Sequence, residues 1–219
     1  MNFDDRLAAV FEELGAQPWD IIVFTETWRE GVQEVFQTDG GHTWLGSGGK
    51  RGSSGVGMLL HSRWDYVDFG CSSDRLCYVD IKFIDSVFRV IGVYMPCGGE
   101  DDICVEAVYG RMDAAVEGAR QKGSLVTVAG DFNAHVGRRV AVGNDEVVGQ
   151  NARGQWMENW SMMHDFDIAN ATPGAPMDDL WTFRRNDLRT QLDYVLVEVS
   201  ARVDVAFCKV LEDFSTIMC

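Results

Sequence analysis

Five polar side chains lie at or beside the ends of short apolar segments, and their types suit the binding of a divalent cation. They are Glu26, Tyr94, Asp131, Asn133 and Asp193. Strand ends bring side chains from distant parts of a chain together on a rigid frame. We therefore expect these five to converge in one cleft. Carboxylate oxygens are ligands that Mg²⁺ accepts.

Taken alone, most of these residues also have a purely structural interpretation. Glu26 could be a solvated strand end, and Asp131 and Asn133 could close a turn, since both types favour turns. Tyr94 by itself is more often a core residue. Asp193 differs, because it lies within the apolar run 191–197, where a carboxylate is costly without a partner or a cation.

The elements that must position these residues can be predicted from residue patterns. Helical spacing of apolar residues predicts helices at 3–15, from 101 to 122 and at 154–164. Short apolar, β-branched runs predict strands at 19–27, 56–60, 77–83, 87–95, 125–129, 182–183, 191–197 and 203–210. Several strands follow one another without an intervening helix. This favours an α/β sandwich of two sheets with outer helices over a single doubly wound sheet.

Composition narrows the class of protein. The 219 residues include 34 Asp and Glu against 19 Lys and Arg, a net charge of −15, which excludes a simple basic nucleic-acid-binding module. An enzyme acting on phosphate esters remains compatible, since a bound cation supplies positive charge.

With only four prolines and no Pro-rich linker, the sequence predicts one domain over 1–219. No signal peptide or membrane segment is visible, so we expect an intracellular protein. Six scattered cysteines predict reduced thiols.

Four segments carry a family resemblance by their order and spacing. They are 25–28 (Thr-Glu-Thr-Trp), 91–96 (Ile-Gly-Val-Tyr-Met-Pro), 130–135 (Gly-Asp-Phe-Asn-Ala-His) and 191–195 (Gln-Leu-Asp-Tyr-Val). Over 19–210 the chain resembles the endonuclease/exonuclease/phosphatase superfamily. The last two segments are similar to the endonuclease domain of non-LTR (LINE-type) retrotransposons, a relative of apurinic/apyrimidinic endonucleases.

The resemblance implies a four-layered α/β sandwich with its site at one edge between two sheets. Glu26 matches the Mg²⁺-binding carboxylate, with Mn²⁺ as an alternative metal. Asp131 matches the residue that orients or deprotonates water, and Asn133 and Tyr94 match groups that contact the phosphate. Asp193 matches the carboxylate that orients a catalytic histidine. The implied reaction is metal-assisted hydrolysis of a phosphodiester, with DNA as substrate and a nuclear place of work.

Two parts of the family pattern are absent from the sequence: the first strand with its Asn, and the closing Ser-Asp-His. We therefore expect a domain incomplete at both ends, without its first and last strands, and impaired in catalysis. Three functions stay open: a DNA endonuclease, a phosphatase or phosphodiesterase for another substrate, and a remnant that does no chemistry. Basic groups at 50–51, 138–139 and 184–189 could contact DNA.

Overall fold

The strands form two main sheets and a separate hairpin. The computed structural model describes residues 9–11, 14, 18–49, 53–136, 150–171, 181–185 and 188–204. The first sheet is fully antiparallel in the order β1-β4-β3-β2. Its strands are β1 (Ile21–Thr25), β2 (Glu34–Gln37), β3 (Thr43–Ser47) and β4 (Val56–Leu60).

The second sheet has six strands in the order β5-β6-β7-β8-β12-β9. They are β5 (Tyr66–Ser73), β6 (Leu76–Phe83), β7 (Ser86–Tyr94), β8 (Leu125–Asp131), β9 (Phe166–Ile168) and β12 (Asp193–Glu198). Among the described strand pairs, only β7–β8 is parallel, and a helical crossover joins these two strands, as parallel pairing requires. The hairpin pairs β10 (Phe183–Arg185) with β11 (Leu188–Thr190).

Two helices, two short 3₁₀ helices and the helical residues 9–11 and 14, which lie within the predicted helix 3–15, complete the described elements. Helix α1 (Asp102–Arg120) begins with an acidic residue in its first turn and ends with Arg120 in its last, which suits the helix dipole. Helix α2 (Ala152–Met163) is capped by Asn151, whose side chain accepts a hydrogen bond from Gly154 N at 2.7 Å. The 3₁₀ helices are η1 (Ala169–Ala171) and η2 (Val199–Asp204).

Three buried clusters separate four layers. Helical residues Val10 and Leu14 pack on Phe24 and Trp44 on the outer face of the first sheet. A second cluster lies between the two sheets, with members from β3, β4 and β6. The third lies between the six-stranded sheet and helices α1 and α2, where Met157 is fully buried. The predicted α/β sandwich of two sheets with outer helices is confirmed.

The structure also corrects the strand predictions in places. Residues 203–204 lie in η2 and not in a strand, while 205–210 lie outside the described residues. Strands β2, β3, β5, β9 and β11 were not predicted. β2 has two intermediate and two exposed positions, and β5 is exposed or half-buried throughout, so neither shows a continuous apolar run. Within the described part of the chain, no helix is both long and apolar enough to span a bilayer.

Candidate active site

Three of the five polar residues meet because of strand register. Parallel pairing of β7 with β8 sets Tyr94 opposite Asp131, and antiparallel pairing of β12 with β8 sets Asp193 opposite the same Asp131. Asp131 therefore lies between Tyr94 and Asp193 at one edge of the six-stranded sheet. A backbone bond from Met95 N to Asp131 O at 2.8 Å continues the β7–β8 contact beyond the strand ends.

Glu26 reaches this edge from the other sheet. It follows β1 directly, and its Oε1 accepts a 2.7 Å hydrogen bond from the Tyr94 hydroxyl. Glu26 and Trp28 both have φ of 53°, a left-handed conformation that is uncommon for large side chains and concentrates at functional sites. The segment is held in place by Thr27 N to Gly55 O at 3.2 Å. A Cβ on Gly55 would lie 2.3 Å from Thr27 Oγ1, so only glycine fits there.

A tight turn after β8 places Asn133. Its backbone N donates to Asp131 Oδ1 at 2.8 Å, and its side-chain Nδ2 donates to Met95 O at 2.9 Å. Asn133 has φ of 47°, which asparagine tolerates better than most residues. Gly130, with φ of 148°, lets β8 approach β7 closely, since a Cβ there would lie 1.9 Å from Val93 O. An amide NH₂ has two hydrogens, so Asn133 keeps one N–H for a ligand.

Two residues that sequence reasoning missed hold Asp193. Thr182 Oγ1 accepts hydrogen bonds from Leu192 N at 3.0 Å and Asp193 N at 3.1 Å. Asn170 bridges the same strand, donating to Asp193 O at 2.9 Å and accepting from Val195 N at 3.0 Å. Neither residue belongs to a local motif. Their roles depend on contacts between distant segments, which a single sequence does not reveal.

Burial and neighbouring negative charge raise the pKa of Asp131 and of Asp193. Burial, assisted by the negative charges of Asp193 and Glu26, raises the pKa of Asp131 from 3.8 to about 7, against the opposing hydrogen bond from Asn133 N. Burial raises the pKa of Asp193 too, with Thr182 opposing and Glu26 adding to the rise. Burial and the bond to Glu26 also raise the pKa of the Tyr94 hydroxyl above its usual value. Negative charge is thus concentrated at this edge.

This donor set fits a hard divalent cation with few protein ligands. Within the described residues, no group of three or more His, Cys, Asp or Glu side chains has the spacing of a metal centre. Mg²⁺ keeps several waters and commonly takes only one or two protein carboxylates. Glu26 is the candidate ligand. A cation there would also stabilise the negative charges of the neighbouring Asp131 and Asp193 carboxylates.

Most of the basic groups considered as DNA contacts cannot be placed against this site. Residues 50–51 and 138–139 lie outside the described residues. Arg184 and Arg189 occupy paired backbone positions in the β10–β11 hairpin. The hairpin joins the site through its base, where Thr182 N donates to Thr190 O at 3.0 Å. Thr190 Oγ1 in turn bonds His135 Nδ1 at 2.8 Å.

Known structures share this fold. A 3′-5′ exonuclease from Neisseria meningitidis has a TM-score of 0.68 at 18% identity, covering 94% of this chain and 87% of the exonuclease. An AP endonuclease from Leishmania major has a TM-score of 0.72 at 14% identity, with 97% and 80% covered. The endonuclease domain of TRAS1, a telomere-specific non-LTR retrotransposon, has a TM-score of 0.62 at 14% identity, with 90% and 80% covered.

At these identities the likeness establishes the fold alone. No curated protein sequence matches the chain. The family model described as Endonuclease/Exonuclease/phosphatase family matches residues 1–213, nearly the whole sequence. Together with two packed sheets, this match identifies the chain as a member of the endonuclease/exonuclease/phosphatase family.

Proposed function

We propose that this chain hydrolyses phosphodiester bonds with the help of Mg²⁺, as a DNA-nicking endonuclease of the retrotransposon type. The observation that supports the proposal is the meeting of Glu26, Tyr94, Asp131, Asn133 and Asp193 at one edge between the two sheets. These residues come from parts of the chain as far as 167 positions apart, counted from Glu26 to Asp193 (193 − 26).

Each side chain suits one task in such a reaction. Asp131, with a pKa of about 7, is matched to accepting a proton from an attacking water near neutral pH. Asn133 presents an N–H donor to the phosphate oxygens. The single hydrogen of the Tyr94 hydroxyl goes to Glu26 Oε1, so Tyr94 would donate to a phosphate oxygen only after releasing Glu26. Asp193, whose backbone N donates to Thr182 Oγ1, corresponds to the carboxylate that orients a catalytic histidine in the family. A Mg²⁺ ion at Glu26 would supply positive charge where the phosphate gains negative charge.

The nuclease assignment is favoured by sequence segments 130–135 and 191–195, which resemble retrotransposon endonucleases. The net charge of −15 weakens general affinity for DNA, because that affinity rests largely on Lys and Arg contacts to phosphates. Hence we expect binding that depends strongly on the cation and on a few local basic groups. We also propose that 1–219 acts as a single domain.

Nicking of supercoiled plasmid and of an oligonucleotide with one abasic site tests the proposal, each with and without Mg²⁺. Glu26→Gln and Asp131→Asn should lower the rate at least ~100-fold, since parts of a catalytic unit act together. Asp20→Asn is the matched control: Asp20 is an exposed carboxylate at the opposite end of β1, paired with Arg63. It should cleave like the parent chain.

The outcomes separate the alternatives. Mg²⁺-dependent nicking of plasmid supports the retrotransposon-type nuclease, whereas cleavage confined to the abasic oligonucleotide favours an abasic-site endonuclease. Hydrolysis of inositol phosphates or sphingomyelin, with DNA left intact, would move the chain to the phosphatase branch. Folded protein that cleaves none of these substrates would refute the proposal and favour a remnant without chemistry.

A further inference from the structure

The turn between β5 and β6 touches both halves of the candidate site. Asp74 and Arg75 form this turn. Asp74 O accepts a 2.9 Å bond from Gly55 N, and its carboxylate accepts one from the Ser54 hydroxyl. Arg75 O accepts a 2.9 Å bond from Tyr94 N. Because residues 54–55 hold the segment after Glu26, the turn links that segment to Tyr94.

The Arg75 side chain lies against Tyr94. Its guanidinium carbon is 5.0 Å from the centre of the Tyr94 ring. Nη2 bonds both carboxylate oxygens of Glu100, at 2.9 and 3.1 Å. The side chain is only 20% exposed. Glu100 itself precedes α1, so the contact ties the site to the helix layer.

One nitrogen of this guanidinium has no acceptor. Nη1 is buried and finds no hydrogen-bond partner among the described residues. A buried donor left unpaired costs about 1–3 kcal/mol, and such a group in a folded protein calls for a functional explanation. Glu100 and the Tyr94 ring together restrict how far the guanidinium can turn to find a partner.

We propose that Arg75 is a positioning residue for the metal site. It holds the Tyr94 ring, and the Tyr94 hydroxyl in turn holds Glu26 through the 2.7 Å bond. The contact series therefore runs Glu100, Arg75, Tyr94, Glu26. This inference rests on the proposed function, because it takes Glu26 as the carboxylate that binds the cation.

Electrostatics and positioning predict opposite effects of removing Arg75. Loss of a positive charge near a cation site should strengthen cation binding if Coulomb repulsion alone acts. Loss of a positioning contact should weaken it, because outer partners of a metal ligand typically contribute ~10- to 100-fold in affinity. The sign of the change therefore separates the two explanations.

Mn²⁺ binding, followed by electron paramagnetic resonance of the free ion, measures this sign without requiring catalysis. Tyr94→Phe should weaken binding about tenfold. Arg75→Met should weaken it about three- to tenfold. Arg75→Lys should recover part of the loss, since lysine keeps the ion pair with Glu100 but not the planar stack on Tyr94. Arg63→Met, which removes an exposed ion pair at the far end of β1, is the matched control and should bind Mn²⁺ like the parent.

A double-mutant cycle shows whether Arg75 acts through Tyr94. In a Tyr94→Phe background, Arg75→Met should cause little further loss of Mn²⁺ affinity. Full additivity would overturn the series of contacts, as would unchanged or tighter binding by Arg75→Met. If thermal unfolding shows that Arg75→Met is not folded, Arg75→Lys and Glu100→Gln replace it in the same experiment. A parent chain that binds no Mn²⁺ would refute the proposed function and this inference together, whereas an effect absent only in the Arg75 variants refutes the inference alone.

Discussion

The carboxylates of the candidate site should destabilise the metal-free protein at alkaline pH, and Asp131→Asn should relieve this. The pKa of Asp131 is raised from 3.8 to about 7 in the folded chain. The folded state therefore holds the proton more tightly than the unfolded state does. The protonated Asp131 therefore stabilises the folded state fully below pH 3.8, and this stabilisation is lost as pH rises through about 7.

The magnitude follows from the two pKa values. A difference of about 3 corresponds to about 4 kcal/mol in the free energy of unfolding, because each pKa unit is worth 1.36 kcal/mol. About 2 kcal/mol of this develops between pH 5.5 and pH 8. Asparagine carries no charge, and its side-chain oxygen can still accept the hydrogen bond from Asn133 N. Its advantage over the parent should therefore grow with pH.

Urea unfolding followed by tryptophan fluorescence, in EDTA at pH 5.5 and pH 8, measures the effect. The stability of Asp131→Asn relative to the parent should rise by about 2 kcal/mol between the two pH values. Asp20→Asn is the control: the hydrogen bonds from Trp64 and Arg63 lower the pKa of this exposed carboxyl despite the opposing effect of burial. The stability of Asp20→Asn relative to the parent should change little between the two pH values. A pH-independent difference for Asp131→Asn, or a variant less stable than the parent at pH 8, would refute the reasoning.

Three further changes test other parts of the molecule. Mg²⁺ should raise the melting temperature of the parent at pH 8 and leave Glu26→Gln unaffected, because ligand binding to the folded state stabilises it; equal shifts would place the cation elsewhere. Arg89→Met should lower the free energy of unfolding in urea by about 3–5 kcal/mol, since it removes two 2.6 Å bonds from buried Asp80 and leaves the 3.3 Å bond from Lys122. A loss below about 1 kcal/mol would contradict this. Gly130→Ala should lower the free energy of unfolding by more than about 2 kcal/mol, because its Cβ would collide with Val93 O. Thermal melting followed by circular dichroism measures this, and a neutral result would contradict it.

Strands that are apolar throughout were predictable from the sequence. β4 (Val56–Leu60) was predicted with its observed bounds, and all five of its residues are buried. Strands β2 and β5 were not predicted, because they face solvent on part of their surface. Met163 shows the reverse case. It belongs to the helical apolar pattern of α2 but is 75% exposed, since the helix buries only the face that meets the six-stranded sheet.

Some residues of the candidate site were likewise predictable from the sequence, and others were not. Glu26, Asp131, Asn133 and Asp193 attract attention in the sequence because polar residues interrupt or end apolar runs. Thr182, Asn170 and Arg75 do not, since each owes its place to a contact with a separate segment that only the folded chain brings near.

The sequence by itself determined the two-sheet α/β class, the family and the residue types available for chemistry, because those depend on local patterns and on ordered motifs. Only the tertiary structure decided which of these residues share a site. Strand register sets Asp131 between Tyr94 and Asp193, and packing of one sheet on the other brings Glu26 to the Tyr94 hydroxyl. Burial of Asp131 beside the negative charges of Asp193 and Glu26 then raises the pKa of its carboxyl group, a property of the assembled site and not of any segment.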